Sequence, residues 1–337
     1  MIMNKKNHFT PSNRELANNL LQKHDSIIQD LLKAMPNHFY NEAVDSYIWI
    51  GNKNSFSKND PVDFTFSYCI HGSEIAGLPL AIRCLENLKK NTPSLSLRFL
   101  LGNRNAVIEN KRFIEVDLNR CFLKTAHHLS EEKRAQDIEN ILTNSKIIFD
   151  LHQTTTKSIS PFLLIKNISY NFQYLNHFKW TEIPVIVYKD GVKFSQDGDS
   201  LSSFAHEKRI PFMTLELSEQ GIQDDLIDRA FESIEFFLKN ALNLKSGEKV
   251  SKENIQNRIF YQENIIIQKL NPTHQLVPGI SNMQLIEVNS PLHILNNQTE
   301  LATVSGLALF PKYGKMQEHS SELIRLVTPL NFNQLQL

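Results

Sequence analysis

The sequence is poor in the features that mark several protein classes. Its three cysteines, Cys69, Cys84 and Cys121, are spaced for neither a disulfide framework nor a Cys-x-x-Cys metal site. Lys plus Arg and Asp plus Glu both number 36, so no net charge attracts nucleic acid or an anionic membrane. No apolar run approaches the ~20 residues that span a bilayer. We therefore expect reduced thiols and a soluble cytoplasmic protein with no nucleic-acid or membrane partner.

The chain also lacks internal repeats and a Gly-rich phosphate-binding loop. A length of 337 residues favours about two domains. The polar stretch Lys245-Ser246-Gly247-Glu248-Lys249 is typical of a linker. Beyond it, short β-like runs alternate with Asn, Pro and Gly turns. The sequence thus predicts a larger domain over residues 1–244 and a smaller β-rich domain over residues 250–337.

The first 244 residues alternate between apolar strand-like runs and helical periodicity, which predicts an α/β fold. Helices are expected from residue 12 to about 35, from 75, over 130–144, over 169–178, from 201 and over 224–242. Ser12 or Asn13, Ser130 and Ser200 are the candidate N-caps. Strands are expected over residues 44–50, 64–70, 95–101, 146–151, 162–165, 183–188 and 211–217, then over 259–261, 265–270, 285–288 and 307–310.

His71 and Glu74 stand three residues apart, where an apolar run stops and helical periodicity begins. This places them on a strand-to-helix turn, and open α/β sheets bind ligands at the carboxyl ends of strands. A neutral imidazole and a carboxylate can be two zinc ligands, which leaves room for a third and for water. With twelve histidines, however, about one His-x-x-Glu is expected by chance. The motif alone leaves both interpretations open.

The segment 104–122 has little helical periodicity and carries several charged and polar residues. Its arginines can be structural partners of acids. Alternatively, they can form an anion-binding loop, because a guanidinium matches a carboxylate bidentately. The residues concerned are Arg104, Arg112, Asp117, Asn119 and Arg120.

Two further strands deliver candidate groups. His152 follows the buried run 146–151, and Asp150 can orient its ring; an ordinary hydrogen-bonded histidine is the alternative. Glu216 lies among apolar residues near the end of the 211–217 strand. A buried carboxylate is costly unless it is paired, metal-linked or protonated, so Glu216 is either functional or an ion-pair partner of a loop arginine. Glu219 is a competitor in a more polar setting.

Taken in order, these motifs resemble those of a known family. His71-x-x-Glu74, the run from Arg112 to Arg120, Asp150-Leu151-His152 and Leu215-Glu216 are similar to the motifs of the aspartoacylase and succinylglutamate desuccinylase family of zinc carboxypeptidase-like hydrolases. Four ordered motifs are far more specific than any one of them. The resemblance implies a mixed sheet flanked by helices and extends more loosely through the β-rich tail to Leu309-Phe310-Pro311.

The resemblance also implies roles for individual residues. One zinc ion is expected on His71, Glu74 and His152, with Glu216 activating the zinc-bound water as general base and then acting as acid. Arg112 is expected to polarise the scissile carbonyl, and Asn119 and Arg120 to bind a substrate carboxylate. Thr154, in a threonine-rich continuation, can add substrate hydrogen bonds. The implied activity is zinc-dependent deacylation of a small N-acyl amino acid.

The chain departs from the family pattern in two places. An arginine expected about ten residues before the catalytic glutamate is replaced by His206, and Arg209 lies only seven residues upstream of Glu216. His206 is therefore the candidate substrate-binding residue there. Tyr313 is the candidate for a C-terminal tyrosine that reaches the site. The alternatives to deacylation are a metallocarboxypeptidase acting on peptides and a binding protein that keeps the fold without turnover.

Overall fold

The computed structural model describes residues 12–57, 59–175, 178–189, 198–240, 255, 257–314 and 321–335. Seven α-helices occur in these ranges: α1 Asn13–Ala34, α2 Gly77–Leu88, α3 Arg104–Glu109, α4 Ser130–Leu142, α5 Ser169–Leu175, α6 Leu201–Glu207 and α7 Asp224–Asn240. Short 3-10 helices span Leu118–Arg120 and Phe332–Gln334. None of the helices in the described ranges combines the length and apolarity that a membrane crossing requires.

The strands up to the end of α7 are β1 Phe39–Ala43, β2 Ser46–Trp49, β3 Phe64–Tyr68, β4 Leu97–Leu101, β5 Ile148–Thr154, β6 Phe162–Lys166, β7 Val185–Tyr188 and β8 Phe212–Glu219. Those after it are β9 Phe260–Gln268, β10 Gln275–Leu276, β11 Leu285–Ile286, β12 Pro291–Leu295, β13 Gln298–Leu301, β14 Gly306–Leu309 and β15 Glu322–Pro329.

Twelve strands form one mixed sheet in the order β1-β2-β4-β3-β5-β8-β6-β7-β9-β15-β14-β11, and β10-β12-β13 form a small second sheet. The α/β class with a mixed sheet and a β-rich C-terminal segment is therefore confirmed. The C-terminal strands extend the central sheet, because β9 pairs in parallel with β7. The predicted linker lies outside the described residues, and the division into two domains stays a prediction.

The core lies on both faces of the sheet. One face is covered by α1, α2 and α7, whose buried apolar residues form a cluster with those of the strands. The other face is covered by α4 and α6. β3 is buried along its whole length, and so is β5, as expected for strands covered on both sides. Apolar residues predominate in the runs 64–70 and 147–151, which is what made the two strands predictable.

Several local predictions are confirmed and others are wrong. Ser12 caps α1, since its Oγ accepts a hydrogen bond from the Glu15 N–H, and Ser200 caps α6 through the Ser203 N–H. Ser130 is not a cap but the first residue of α4; Glu132 Oε2 accepts from the preceding Leu129 N–H instead, at 3.1 Å.

The segment 104–122 is also more ordered than its periodicity indicated. It begins with α3, which Asn103 caps by accepting a hydrogen bond from the Ala106 N–H. The two short runs predicted over residues 259–270 are one strand, β9, and β15 was not predicted at all. α3 has only six residues, too few to establish a helical period.

Candidate metal centre and its cavity

The carboxyl ends of three adjacent parallel strands meet at one place. β5 lies between β3 and β8, with Tyr68 opposite Leu151 and His152 opposite Glu216. The register shifts just after His152, so that Thr154 is opposite Glu219. Bulges of this kind are frequent beside active sites, where they re-aim a side chain. β5 runs through to Thr154, and His152 therefore lies inside the strand instead of beyond its end.

The turn after β3 brings His71 and Glu74 to this edge. Cys69 adopts a left-handed conformation with φ of 54°, which turns the chain sharply out of the strand. Gly72 packs directly on α3: a Cβ on it would lie 2.1 Å from the Ala106 carbonyl carbon. Only glycine permits this approach. The His-x-x-Glu spacing therefore depends on a residue between the two candidate ligands that carries no side chain.

His71, Glu74 and His152 converge. His71 Nδ1 lies 2.6 Å from Glu74 Oε1, and His152 Nδ1 lies 2.8 Å from Glu74 Oε2. One ligand atom from each residue can be chosen so that all lie within 4.8 Å of one another, and all three residues are buried. Burial alone would raise the pKa of Glu74, but the two imidazoles lower it well below its usual range. The arrangement is compatible with a bound metal ion.

Each imidazole is held from its other nitrogen by a carboxylate. His71 Nε2 lies 3.1 Å from Asp117 Oδ1, and His152 Nε2 lies 2.8 Å from Asp150 Oδ2. Burial would lower the pKa of His152, but Asp150 and Glu74 raise it well above its usual range. Carboxylates in this position fix the ring orientation of metal-binding histidines. The orienting contact predicted for Asp150 is present, whereas that of Asp117 was not predicted.

Glu216 differs from every other acid at the site. It is buried beside His152, and Oε2 is a buried oxygen for which the described residues offer no hydrogen-bond partner. Burial and the Glu74 charge together raise the pKa of Glu216 to about 8, against the opposing effects of His152 and Arg112. An unsatisfied buried carboxyl group with such a pKa is a typical candidate for proton transfer.

Arg112 is oriented by two acids of the site. Its guanidinium lies 3.0 Å from Asp117 Oδ2 and 3.4 Å from Glu74 Oε1. Asn119 Oδ1 accepts a hydrogen bond from the Leu201 N–H at 2.9 Å, and Arg120 Nη1 donates to the Asn119 carbonyl at 2.6 Å. The 104–122 segment is thereby fixed to the start of α6. All three side chains line the same cavity as His71, Glu74 and His152.

This cavity has a volume of about 140 Å³. Thr154 also lines it, and its hydroxyl donates to the Thr156 carbonyl at 2.7 Å. A second wall, which the sequence did not predict, consists of β6 and β7 residues and of C-terminal residues. Its members are Leu164, Tyr188, Asn282, Phe310, Pro311, Lys312, Glu322 and Arg325.

Two candidate residues lie elsewhere. His206 is not among the described residues that line the cavity; its Nδ1 lies 3.1 Å from the Tyr170 hydroxyl, beside a smaller neighbouring pocket. Tyr313 donates its hydroxyl proton to the Val277 carbonyl at 2.9 Å and packs against the apolar core of the C-terminal strands. Tyr188 lies at the cavity instead, and its hydroxyl is 2.5 Å from Ser202 Oγ.

Gln153 connects the three strand ends and was also not predicted. Its N–H donates to Glu74 Oε2 at 3.1 Å, and its side-chain oxygen accepts from the Ala76 N–H at 2.9 Å. Its side-chain nitrogen donates to the carbonyls of Glu219 and Gly221. Its position directly after His152 is the one sequence signal that could have identified it.

Solved structures share this fold. A succinylglutamate desuccinylase of Vibrio parahaemolyticus is similar with a TM-score of 0.66 at 13% identity, over 85% of this chain and 86% of that chain. Murine aminoacylase 3 is similar with a TM-score of 0.60 at 19% identity, over 81% of this chain and 98% of that chain.

Curated relatives match a shorter stretch. A probable aspartoacylase of Acaryochloris marina is 33% identical over 132 residues, covering 33% of this chain and 45% of that protein. A succinylglutamate desuccinylase of Ectopseudomonas mendocina is 31% identical over 108 residues, covering 28% and 32%. The matched part of the chain thus spans less than half the length of these relatives.

The catalytic-domain model of one family matches the centre of the chain. The match covers residues 67–244, which is more than half of the sequence and includes His71, Glu74, His152 and Glu216. The chain therefore belongs to the succinylglutamate desuccinylase/aspartoacylase family.

Proposed function

We propose that this protein is a zinc-dependent hydrolase that cleaves the amide bond of a small N-acyl amino acid. The observation that carries the proposal is the convergence of His71, Glu74 and His152 beside the unsatisfied carboxyl group of Glu216 in one cavity. Membership of the family supports it, because the names of the relatives, aspartoacylase and succinylglutamate desuccinylase, denote removal of an acyl group.

The donor set fits zinc. Two imidazoles and one carboxylate are typical of catalytic zinc sites, which keep a further position open. Their outer nitrogens are already bound to Asp117 and Asp150, so the Nδ1 atoms are the ones directed at Glu74 and at a shared ion. Zinc there would supply a Lewis acid that polarises the scissile carbonyl and lowers the pKa of water.

Glu216 is proposed to move the proton. In its carboxylate form Glu216 can accept a proton from the attacking water, and the carboxylic acid so formed can donate that proton to the leaving nitrogen. Its Oε2 has no competing partner among the described residues. The products are a carboxylic acid and an amino acid with a free amine.

Arg112 and its neighbours are proposed to hold the substrate. The guanidinium of Arg112 is oriented by Asp117 and keeps its charge, since both flanking acids raise its pKa against the effect of burial. It can therefore stabilise the negative charge that develops on the carbonyl oxygen. Asn119 and Arg120 would bind a substrate carboxylate, and Thr154 would add a hydrogen bond. His206 is not included, because it does not line the cavity.

The test is a substrate screen with zinc-loaded and chelator-treated protein. N-acetyl, N-succinyl and longer N-acyl derivatives of Asp, Glu and neutral amino acids are compared with peptides. We expect hydrolysis of at least one N-acyl amino acid, its loss on chelation and its recovery with zinc. Cleavage of peptides alone would contradict the proposal in favour of a carboxypeptidase. Failure to cleave any substrate would also contradict it.

A further inference from the structure

We propose that Glu131 is a positioning residue for Arg112, which holds the backbone beside this arginine so that the guanidinium meets the substrate carbonyl. The inference rests on the role proposed for Arg112 and concerns a residue outside the cavity. Glu131 is the second residue of α4 and is not among the described residues that line the cavity. Its effect on the reaction therefore passes through a neighbour.

The carboxylate of Glu131 accepts hydrogen bonds on both oxygens. Oε1 accepts from the Ile114 N–H at 2.7 Å and from Asn103 Nδ2 at 3.2 Å. Oε2 accepts from the Glu115 N–H at 3.3 Å and from the Ser130 hydroxyl at 2.9 Å. The residue is only 2% exposed. Burial would raise its pKa, but these hydrogen bonds lower it below its usual range, so the group is an anion with donors on each oxygen.

Packing contributes little to the conformation of the stretch that Glu131 binds. The three residues directly after Arg112, 113–115, have exposed side chains. A stretch with few buried apolar contacts is held mainly by its backbone hydrogen bonds. Glu115 Oε2 also accepts from the Ser130 N–H at 2.7 Å, but this contact is exposed. The buried carboxylate of Glu131 is therefore the main anchor of this stretch.

Arg112 is in contact with the turn that carries two of the candidate ligands. Its carbonyl accepts a hydrogen bond from the Gly72 N–H at 3.1 Å, and its guanidinium lies 3.4 Å from Glu74 Oε1. Asp117, its other acidic partner, lies five residues further along the same segment and moves with it. The position of the guanidinium relative to the turn therefore depends on where the segment is anchored, and Glu131 provides that anchor on α4.

The next residue of α4, Glu132, holds a different segment. Its Oε2 accepts from the N–H groups of His128 and Leu129, at 2.9 and 3.1 Å. Both glutamates lie in the first turn of α4 and carry the same charge. An effect that arises from the helix dipole would be shared by the two residues. An effect that passes through Arg112 belongs to Glu131 alone.

The test combines Glu131→Gln with Arg112→Ala in zinc-loaded protein. Glutamine keeps the shape, but its NH2 group replaces one oxygen, and each oxygen accepts from a backbone N–H. One of the two bonds is therefore lost whichever way the amide points. We expect kcat to fall about tenfold or more with KM changed less than about threefold, since a displacement of about 1 Å can cost about 10² in rate.

In the Arg112→Ala background, Glu131→Gln should change kcat less than about twofold, because residues that act as a unit are not additive. Glu132→Gln is the matched control and should leave kcat within about twofold in both backgrounds. Rates are expressed per zinc-loaded chain, so that a partly unfolded preparation still gives a result. Glu131→Asp, which keeps the charge on a shorter side chain, should recover part of the loss and provides the same comparison if Glu131→Gln does not fold.

A second measurement does not depend on turnover. Amide hydrogen exchange at Ile114 and Glu115, followed by NMR, should accelerate about tenfold or more in Glu131→Gln, as expected for loss of one hydrogen bond to a charged group. Glu132→Gln should leave exchange at these two amides unchanged and accelerate it at His128.

An equal fall in kcat in both backgrounds would overturn the inference, because Glu131 would then affect the rate without Arg112. So would a kcat of Glu131→Gln within about twofold of wild type, or unchanged exchange at Ile114 and Glu115. An unchanged kcat in Arg112→Ala alone would reject the role of that arginine, and the inference with it. Hydrolysis of no N-acyl amino acid by zinc-loaded wild-type protein would instead reject the proposed function as a whole.

Discussion

The two walls of the cavity both bury several charges, but they balance them differently. On the C-terminal wall Glu322 accepts bonds from Arg325 and Lys312, which lower its pKa against the effect of burial. At the strand ends Glu74 is similarly surrounded by His71 and His152, whereas Glu216 keeps an oxygen with no described partner and a pKa raised to about 8. Buried charged groups normally have hydrogen-bond partners. A buried polar atom without a partner costs free energy, so it is expected mainly where function requires it. The comparison supports the proposal that Glu216 is the group that transfers the proton.

The largest expected effect comes from removing the acid shared by both histidines. Glu74→Ala should abolish both zinc binding and hydrolysis, because it removes one ligand and the group that both Nδ1 atoms contact. Zinc content by mass spectrometry and the rate on the best N-acyl substrate are the measurements. Glu219→Ala, at the half-buried end of β8, is the control and should retain both. Full zinc occupancy in Glu74→Ala would show that Glu74 is not a zinc ligand.

Replacing Arg112 should have the next largest effect on activity. Arg112→Ala should lower kcat by about 10²–10³, as for loss of one group that stabilises an oxyanion. Arg112→Lys should recover part of that loss, because it keeps the charge without the fork that contacts Asp117. Rates are compared at equal zinc content. If kcat were unchanged and only KM rose, Arg112 would bind substrate without acting on the transition state.

Replacing the carboxylates that contact the Nε2 atoms of the two histidines should have a smaller effect. Asp150→Asn and Asp117→Asn should each weaken zinc affinity about 10–100-fold, the usual range for such partners. Competition with a chelator of known affinity measures this. Asp137→Asn on α4, away from the trio, is the control. Unchanged affinity in Asp150→Asn would mean that packing alone orients His152.

The smallest expected effect is on the free energy of unfolding, and it tests the difference between the two walls directly. Glu322→Gln should lower the free energy of unfolding by about 1–3 kcal/mol at pH 7, since it weakens bonds to two cations. The pKa of Glu322 is lowered in the folded state, so its contribution is present above its ordinary value of 4.5 and is lost as pH falls through the folded value. The difference between wild type and variant should therefore shrink in acid.

Glu216→Gln in zinc-free protein should behave in the opposite way. Because burial and the Glu74 charge raise the pKa of Glu216 to about 8, an uncharged side chain of the same shape should leave the free energy of unfolding at pH 7 unchanged within about 1 kcal/mol or raise it. Urea denaturation of both variants provides the comparison. Equal destabilisation by Glu216→Gln and Glu322→Gln would remove the distinction between the walls.

The strand-end wall could be predicted from the sequence, and the C-terminal wall could not. In the sequence, His71, Glu74, His152 and Glu216 each lie at or just after the end of an apolar run, so position along the chain indicated position in the sheet. Arg325 lies in β15 and Lys312 lies between β14 and β15, and no local pattern in the sequence relates them to β8. The position of Lys312 and Arg325 at the cavity depends on the parallel pairing of β9 with β7. Hydrophobic periodicity does not encode such a long-range pairing. The surroundings of the His206 side chain could not be predicted for a related reason, since its offset from Glu216 along the chain does not determine which way it points.

The most direct test of the account is the rate of N-acyl amino acid hydrolysis by zinc-loaded Glu216→Gln relative to wild type. The side chain keeps its shape and loses its ability to accept a proton, and the three proposed ligands are unchanged. The account predicts one zinc ion per chain in both proteins and a fall in kcat of about 10²–10⁴ in the variant. A rate within tenfold of wild type at equal zinc content would contradict it.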